Sequence, residues 1–115
     1  MSKNGVNYKG VPKPLIFRLK FQGAVVDWNT VDSFELAAYT ENSKKLLASF
    51  EKSNLIIDDP TSGVAVALFT AAHTGKAVEN ELYIVEWKVK IGAKYGTNKG
   101  YWCRFAFMYL ANKFI

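Results

Sequence analysis

The chain has 115 residues, half of them hydrophobic and 15% aromatic, and a formal net charge of +5. The length suits one domain of common size, and the composition supplies enough apolar side chain for a core, which excludes an intrinsically disordered chain. The single cysteine excludes an internal disulfide, and no apolar run approaches the roughly 20 residues that a membrane-spanning helix needs.

The charge is unevenly divided along the chain. Residues 1–20 carry a net +5, residues 27–59 carry −4 and residues 76–115 carry +4. Basic ends around an acidic middle favour mixed-sign surfaces that meet head-to-tail, although ordinary solvated charge is the simpler interpretation. The first ten residues hold no apolar run and do not resemble a signal peptide, so we expect synthesis in the cytoplasm and no membrane partner.

The first part of the chain predicts an arm followed by strands. Residues 1–14 mix glycine, lysine and two prolines without periodicity, which predicts a flexible or extended arm before a single domain of residues 15–115. Residues 15–21 alternate apolar and charged side chains, as a half-buried strand does. A polar turn at residues 27–30 and a second alternating strand at residues 33–40 follow.

Residues 45–52 fit two structures. Leu46, Leu47 and Phe50 lie on one face of a helix, whereas Leu46, Ala48 and Phe50 lie on one face of a strand. The short polar link from the preceding strand suits a hairpin, and we therefore predict a strand.

The rest of the chain predicts further strands and connections. In chain order these are a short β-branched run at 55–57, a turn at 58–63, a strand at 64–69, a loop at 70–80, the clearest strand at 81–91, a mobile glycine-rich connection at 92–100, and an aromatic strand at 101–110. Seven short strands with regular turn signals predict an all-β fold, either an antiparallel sandwich or a small barrel.

Three stretches of the sequence resemble a known family. Gly23, Val26 and Asp27 form a Gly-x-x-Val-Asp turn, and Asp59 and Gly63 form an Asp-x-x-x-Gly turn that leads into the Val-x-Val-x-Leu strand. With the long Tyr-containing strand ELYIVEWKVKI, these resemble the immunoglobulin-like N-terminal domain of phage upper baseplate proteins and related prophage tail proteins. The resemblance covers residues 15–91, but the loop at 74–80 lacks the usual Pro-Gly, and the tail after Gly92 has no counterpart.

The resemblance implies an antiparallel immunoglobulin-like β-sandwich of about seven strands. It also implies a structural protein of the virion, a non-catalytic assembly domain of a phage or prophage tail or baseplate. Such a domain docks other phage structural subunits or copies of itself as a homo-oligomer, and performs no reaction.

The residues predict no enzyme, metal site or cofactor. Cys103 and His73 are the only thiol–imidazole pair, and Cys103 lies on an aromatic strand face, where a buried thiol behaves as a small hydrophobe. Asp58 and Asp59 could hold calcium weakly, but Asp-Asp-Pro is typical of a turn. The run from His73 to Lys76 lacks the earlier glycine of a phosphate-binding loop.

An alternative function is single-stranded nucleic-acid or carbohydrate binding. Trp28, Trp87 and Trp102 could stack on bases or sugars, although Trp87 lies on the apolar face of its strand. Basic side chains that could contact phosphates are Lys88, Lys90, Lys94, Lys99 and Arg104.

The strand predicted at 101–110 provides the candidate interface. Both of its faces are apolar, so it is either central in a sheet or an edge strand that pairs with another chain. The face opposite the aromatic one supplies the predicted interface residues: Trp102, Arg104, Met108 and Leu110.

Overall fold

The computed structural model describes residues 7–106. Ten strand segments and one short helix form. In chain order they are β1 (Asn7–Tyr8), β2 (Lys13–Arg18), β3 (Lys20–Phe21), β4 (Ala24–Val25), β5 (Ser33–Thr40), β6 (Leu46–Glu51), β7 (Val64–Phe69), α1 (Ala71–Gly75), β8 (Tyr83–Ile91), β9 (Lys94–Tyr101) and β10 (Phe105–Ala106).

One layer of the fold is a four-stranded antiparallel sheet in the order β6-β5-β8-β9. The central strand β5 buries Phe34, Leu36 and Ala38 and turns Glu35 outward. One face therefore meets the core and the other meets solvent, as the alternating pattern requires.

The second layer is built on β2 and β7, which pair antiparallel with Leu15 opposite Ala67. Ile56 forms a single antiparallel bridge to Val66 on the far side of β7. The inner residues of β7 are small except for Phe69, so the aromatic side chains of the facing sheet have room above them. The prediction of an all-β, mostly antiparallel sandwich is confirmed.

The indole of Trp28 ties the two layers together at one end. It is 1% exposed, and its Nε1–H donates a 2.9 Å hydrogen bond to the Gly63 carbonyl. Its ring centroid lies 5.1 Å from that of Phe34 and 6.1 Å from that of Phe17, edge-on in both cases. A single buried side chain thus contacts β5, β2 and the turn before β7.

Gly63 occupies a position that only glycine fits. Its φ is +76°, and a Cβ built there would lie 2.7 Å from Val25 Cγ1 and 3.2 Å from the Leu19 carbonyl oxygen. Its own carbonyl also accepts the Leu19 N–H at 2.8 Å. Asp59 supports the preceding 3₁₀ turn by accepting the Thr61 N–H.

The choice of a strand for residues 45–52 is confirmed by β6, but its alternation is interrupted. The pairing register with β5 shifts between Ala38 and Tyr39. Because of this bulge, Leu47 is 4% exposed and Leu46 is 60% exposed, the reverse of the face predicted for Leu46.

The prediction of a mobile connection at 92–100 is wrong, because most of it is the strand β9. Residues 94–101 pair with β8 without a break in register. The predicted strand at 101–110 also differs: Tyr101 ends β9, and Phe105 and Ala106 form β10. Its positions 107–110 lie outside the described residues.

The predicted arm at 1–14 contains two paired segments within its described part. β1 pairs in parallel with β10, and β2 begins at Lys13 rather than at residue 15. The predicted loop at 70–80 contains α1, capped by Thr70, whose side chain accepts the His73 N–H. Among the described residues, no helix is long and apolar enough to cross a membrane.

Replacing Gly63 with alanine tests the close approach at this turn. Gly63→Ala should lower the free energy of unfolding by roughly 2–4 kcal/mol, since the left-handed backbone and the contact with Val25 both oppose a Cβ. Gly92→Ala is the matched control: its φ is +61° but nothing lies within 4 Å of the added Cβ, so it should cost only about 1–2 kcal/mol. Urea unfolding measures both, and equal losses would contradict the steric argument.

Candidate interaction surface

The two described residues of the predicted interface have different surroundings. Trp102 is partly buried, with its ring centroid 4.5 Å from that of Phe69 and 5.8 Å from that of Phe105. Arg104 is exposed, and its guanidinium donates to the Asn80 carbonyl at 2.8 Å. The structure therefore places Trp102 against the core and Arg104 at the surface, while Met108 and Leu110 lie outside the described residues.

The thiol of Cys103 is in an environment that suppresses its reactivity. Burial raises its pKa to about 11, although the nearby Lys13 acts in the opposite direction. His73 uses Nδ1 to accept the Thr70 N–H, and its ring packs edge-on against Phe50 and Phe69. Both side chains thus have structural surroundings: the thiol is partly buried, and the imidazole Nδ1 is used by a backbone N–H.

The carboxylate of Asp59 is used within its own turn. Oδ1 accepts both the backbone N–H and the hydroxyl of Thr61, at 3.1 and 2.8 Å. Across residues 7–106 there is no group of three side chains suited to hold a metal ion. The interpretation of Asp-Asp-Pro as a turn agrees with this geometry.

The three tryptophans do not form an exposed stacking surface. Trp28 is buried, whereas Trp87 and Trp102 are partly buried and pack against the core. Trp87 stacks on Phe34 with ring centroids 6.0 Å apart. Their role in the described part of the chain is to fill the space between the two layers.

Among the described residues, the most exposed aromatic rings belong instead to β9. Tyr95 and Tyr101 are each 71% exposed and lie on the outer face of the four-stranded sheet. The Tyr101 hydroxyl donates to Glu41 at 3.1 Å, and this hydrogen bond raises the pKa of Tyr101. Lys90 Nζ lies 5.9 Å from the centroid of the Tyr95 ring.

The strand β9 forms one edge of the four-stranded sheet. Among residues 7–106, no strand pairs with its outer side. All of its side chains are exposed except at Gly96, and the strand contains no proline or bulge. It therefore presents the outward backbone groups of alternate residues, along a strand of eight residues, to a second strand.

A shallow cleft of about 180 Å³ opens beneath β9. It is lined by residues of both layers, including residues 98–101 of β9. The apolar lining residues are Leu15, Phe17, Leu36, Val85, Trp87 and Trp102. Of the positions of β9 on the inner face, Asn98 and Gly100 line the cleft, and they place little side chain over the core.

The sequence contained a signal for β9 that its glycines obscured. β8 and β9 are joined by two residues, of which Gly92 has a φ of +61°. A two-residue loop with glycine first, after an alternating strand, is typical of a hairpin. Tyr95 and Thr97 are also residues that favour strands.

Comparison with known proteins adds no relatives. No family model matches the chain, and no curated protein or solved structure is significantly similar to it.

Two glycines of β9 differ in what surrounds them, and this difference is testable. A Cβ at Gly96 would lie 2.6 Å from the Phe21 ring, whereas nothing lies within 4 Å of one at Gly100. Gly96→Ala should therefore displace Phe21 and destabilise the fold by roughly 1–3 kcal/mol. Gly100→Ala, the control, should be neutral or slightly stabilising in thermal or urea unfolding; a loss at Gly100 as large as at Gly96 would contradict this.

The raised pKa of Cys103 predicts slow alkylation. With a pKa of about 11 rather than 9.0, the folded thiol should react with iodoacetamide about 100-fold more slowly at pH 8 than the thiol of the urea-unfolded chain. Folding favours the protonated thiol, so its contribution to stability is present below pH 9.0 and is lost as the pH rises toward 11. Equal alkylation rates in the two states would show that the thiol is not protected.

Proposed function

We propose that this chain is a non-catalytic assembly domain of a phage or prophage tail or baseplate, which docks other subunits through the edge of β9. The observation that carries the proposal is the eight-residue strand at the sheet edge. Long, regular edge strands favour pairing with another chain, and proteins that remain monomeric usually shorten, bend or cover them.

The cleft beneath β9 supports docking at the same place. Trp87 and Trp102 line it together with aliphatic side chains, so part of the apolar surface between the layers is left open. A strand added beside β9 would extend the sheet over this opening. Backbone pairing would provide affinity, and side chains entering the cleft would provide selectivity.

The phage setting of the proposal rests on the sequence resemblance of residues 15–91. Two positions that carry the resemblance lie at the hydrogen bond between the layers: Asp27 precedes the donor Trp28, and Gly63 supplies the accepting carbonyl. The resemblance therefore includes positions that hold the two layers together, and such positions are features of a fold rather than of a reaction.

Nucleic-acid binding is a second candidate, favoured by one feature of the β8–β9 hairpin. Lys88, Lys90 and Lys99 share the outer face with the exposed rings of Tyr95 and Tyr101. Single-stranded nucleic acids bind to surfaces that combine cations with aromatic rings. If this function holds, a labelled oligonucleotide should bind at low salt and dissociate as salt is added.

Recovery of the chain with particles tests the assembly function. A tagged copy, expressed in the source strain during particle production, should sediment with tail structures in a density gradient. Thr97→Pro should abolish this, because proline removes a backbone N–H on the outer side of β9. Thr97→Ala keeps that N–H and should sediment like the unaltered chain.

Circular dichroism of both Thr97 variants provides the folding control, since a proline whose N–H faces outward leaves the ladder to β8 intact. An unaltered chain that stays at the top of the gradient would contradict the assembly function.

A further inference from the structure

We propose that the strand that docks on β9 is β9 of a second copy of this chain, in an antiparallel pair centred on Asn98. The proposal rests on the proposed function in taking the β9 edge as the docking site, and it adds the partner and the register. Four strands from each copy would then form one continuous sheet.

The backbone hydrogen bonds show which residues of β9 face outward. Trp102 N–H donates to the Tyr83 carbonyl, so residue 102 faces β8. In an antiparallel ladder the backbone N–H and C=O groups of successive residues point to alternate sides of the strand. In β9 the backbone groups of even-numbered residues therefore point toward β8, and those of odd-numbered residues point away from it. The outward residues of β9 are therefore Tyr95, Thr97, Lys99 and Tyr101.

One register uses all of these outward groups. Opposite residues must both be outward-facing in a hydrogen-bonded pair. Two identical antiparallel strands are related by a two-fold axis. If that axis passes through Asn98, Thr97 lies opposite Lys99 and Tyr95 lies opposite Tyr101, so all four outward residues of each copy form backbone hydrogen bonds. A pair centred on Thr97 or on Lys99 leaves one outward residue of each copy without a partner in the strand.

The side chains agree with this register. Tyr95 of one copy meets Tyr101 of the other, and aromatic pairs across strands are favourable. Lys99 lies opposite Thr97, so no two lysines oppose each other. Gly96 lies opposite Gly100 on the inner face, so neither copy places a side chain between the two backbones there.

The side chain of Asn98 regulates access to the edge. Its Oδ1 accepts the outward Lys99 N–H at 2.9 Å in the single chain. That N–H is needed for the pair with Thr97 of the second copy, so the asparagine side chain must rotate before the strands pair. A local side-chain hydrogen bond of this kind competes with strand pairing.

The cleft also lies at the axis. Asn98, Lys99 and Gly100 line it together with Trp87 and Trp102. A pair centred on Asn98 brings the clefts of both copies together on the same face of the continuous sheet. Apolar surface that is open in the single chain is then covered by the second copy.

Disulfide trapping tests the register. In a Cys103→Ala background, Asn98→Cys should form a covalent dimer under mild oxidation, because the two residues form a non-hydrogen-bonded pair with closely placed Cβ atoms. The matched control combines Asn98→Ala with Thr97→Cys, which also lacks the asparagine. In this register the two copies of residue 97 are diagonal neighbours, about 7–8 Å apart, and their thiols should cross-link poorly. Non-reducing gels measure both.

Light scattering provides a readout without cross-linking. The apparent mass should rise toward twice the chain mass with concentration, sooner in Asn98→Ala, and should stay at the chain mass in Thr97→Pro. Preferential cross-linking at residue 97 would overturn the proposal. Cross-linking at neither position would also overturn it, and would favour another subunit or residues 107–115 as the partner of the β9 edge. If the tagged chain still sediments with tail structures in that case, the assembly function remains supported.

Discussion

The buried hydrogen bond from the Trp28 indole to the Gly63 carbonyl is the interaction on which the rest of the sandwich depends. It joins the turn before β5 to the turn before β7, and these strands belong to opposite layers. Because the same carbonyl also accepts the Leu19 N–H, it fixes the residue that follows β2 close to the indole. An unpaired indole N–H at this depth would cost about 1–3 kcal/mol, so the position of Gly63 is closely constrained.

The sequence predicts strands well where one face of the strand meets the core. β5 and β7 have the predicted bounds because every second side chain is apolar and buried. β9 was missed because Gly96 and Gly100 remove the inward side chains on which alternation depends. The burial of Leu47 rather than Leu46 follows from a bulge, which is set by pairing with β5 and has no local signal.

The candidate surface was predicted less well than the fold. The alternative function would use the tryptophans as a stacking surface, but they pack against the core. The most exposed rings of the described residues are Tyr95, which lies in the predicted connection at 92–100, and Tyr101, the first residue of the predicted strand at 101–110. Of the four predicted interface residues, Trp102 lines the cleft. The exposure of Trp102 depends on the size of the β9 side chains that cover it. Exposure is therefore set by tertiary packing and cannot be predicted from residue 102 alone.

The parallel pairing of β1 with β10 determines how the domain would respond to mechanical tension. Tension applied through the two ends of the domain pulls β1 toward its N-terminal end and β10 toward its C-terminal end. Because β1 and β10 are parallel, these two forces act in opposite directions along the strands. Such a load strains all hydrogen bonds between the two strands at the same time, whereas an antiparallel pair at the ends would open one hydrogen bond after another. Phe105 is further held by the Asn80 N–H on its other side, so the load passes directly into the loop that precedes β8.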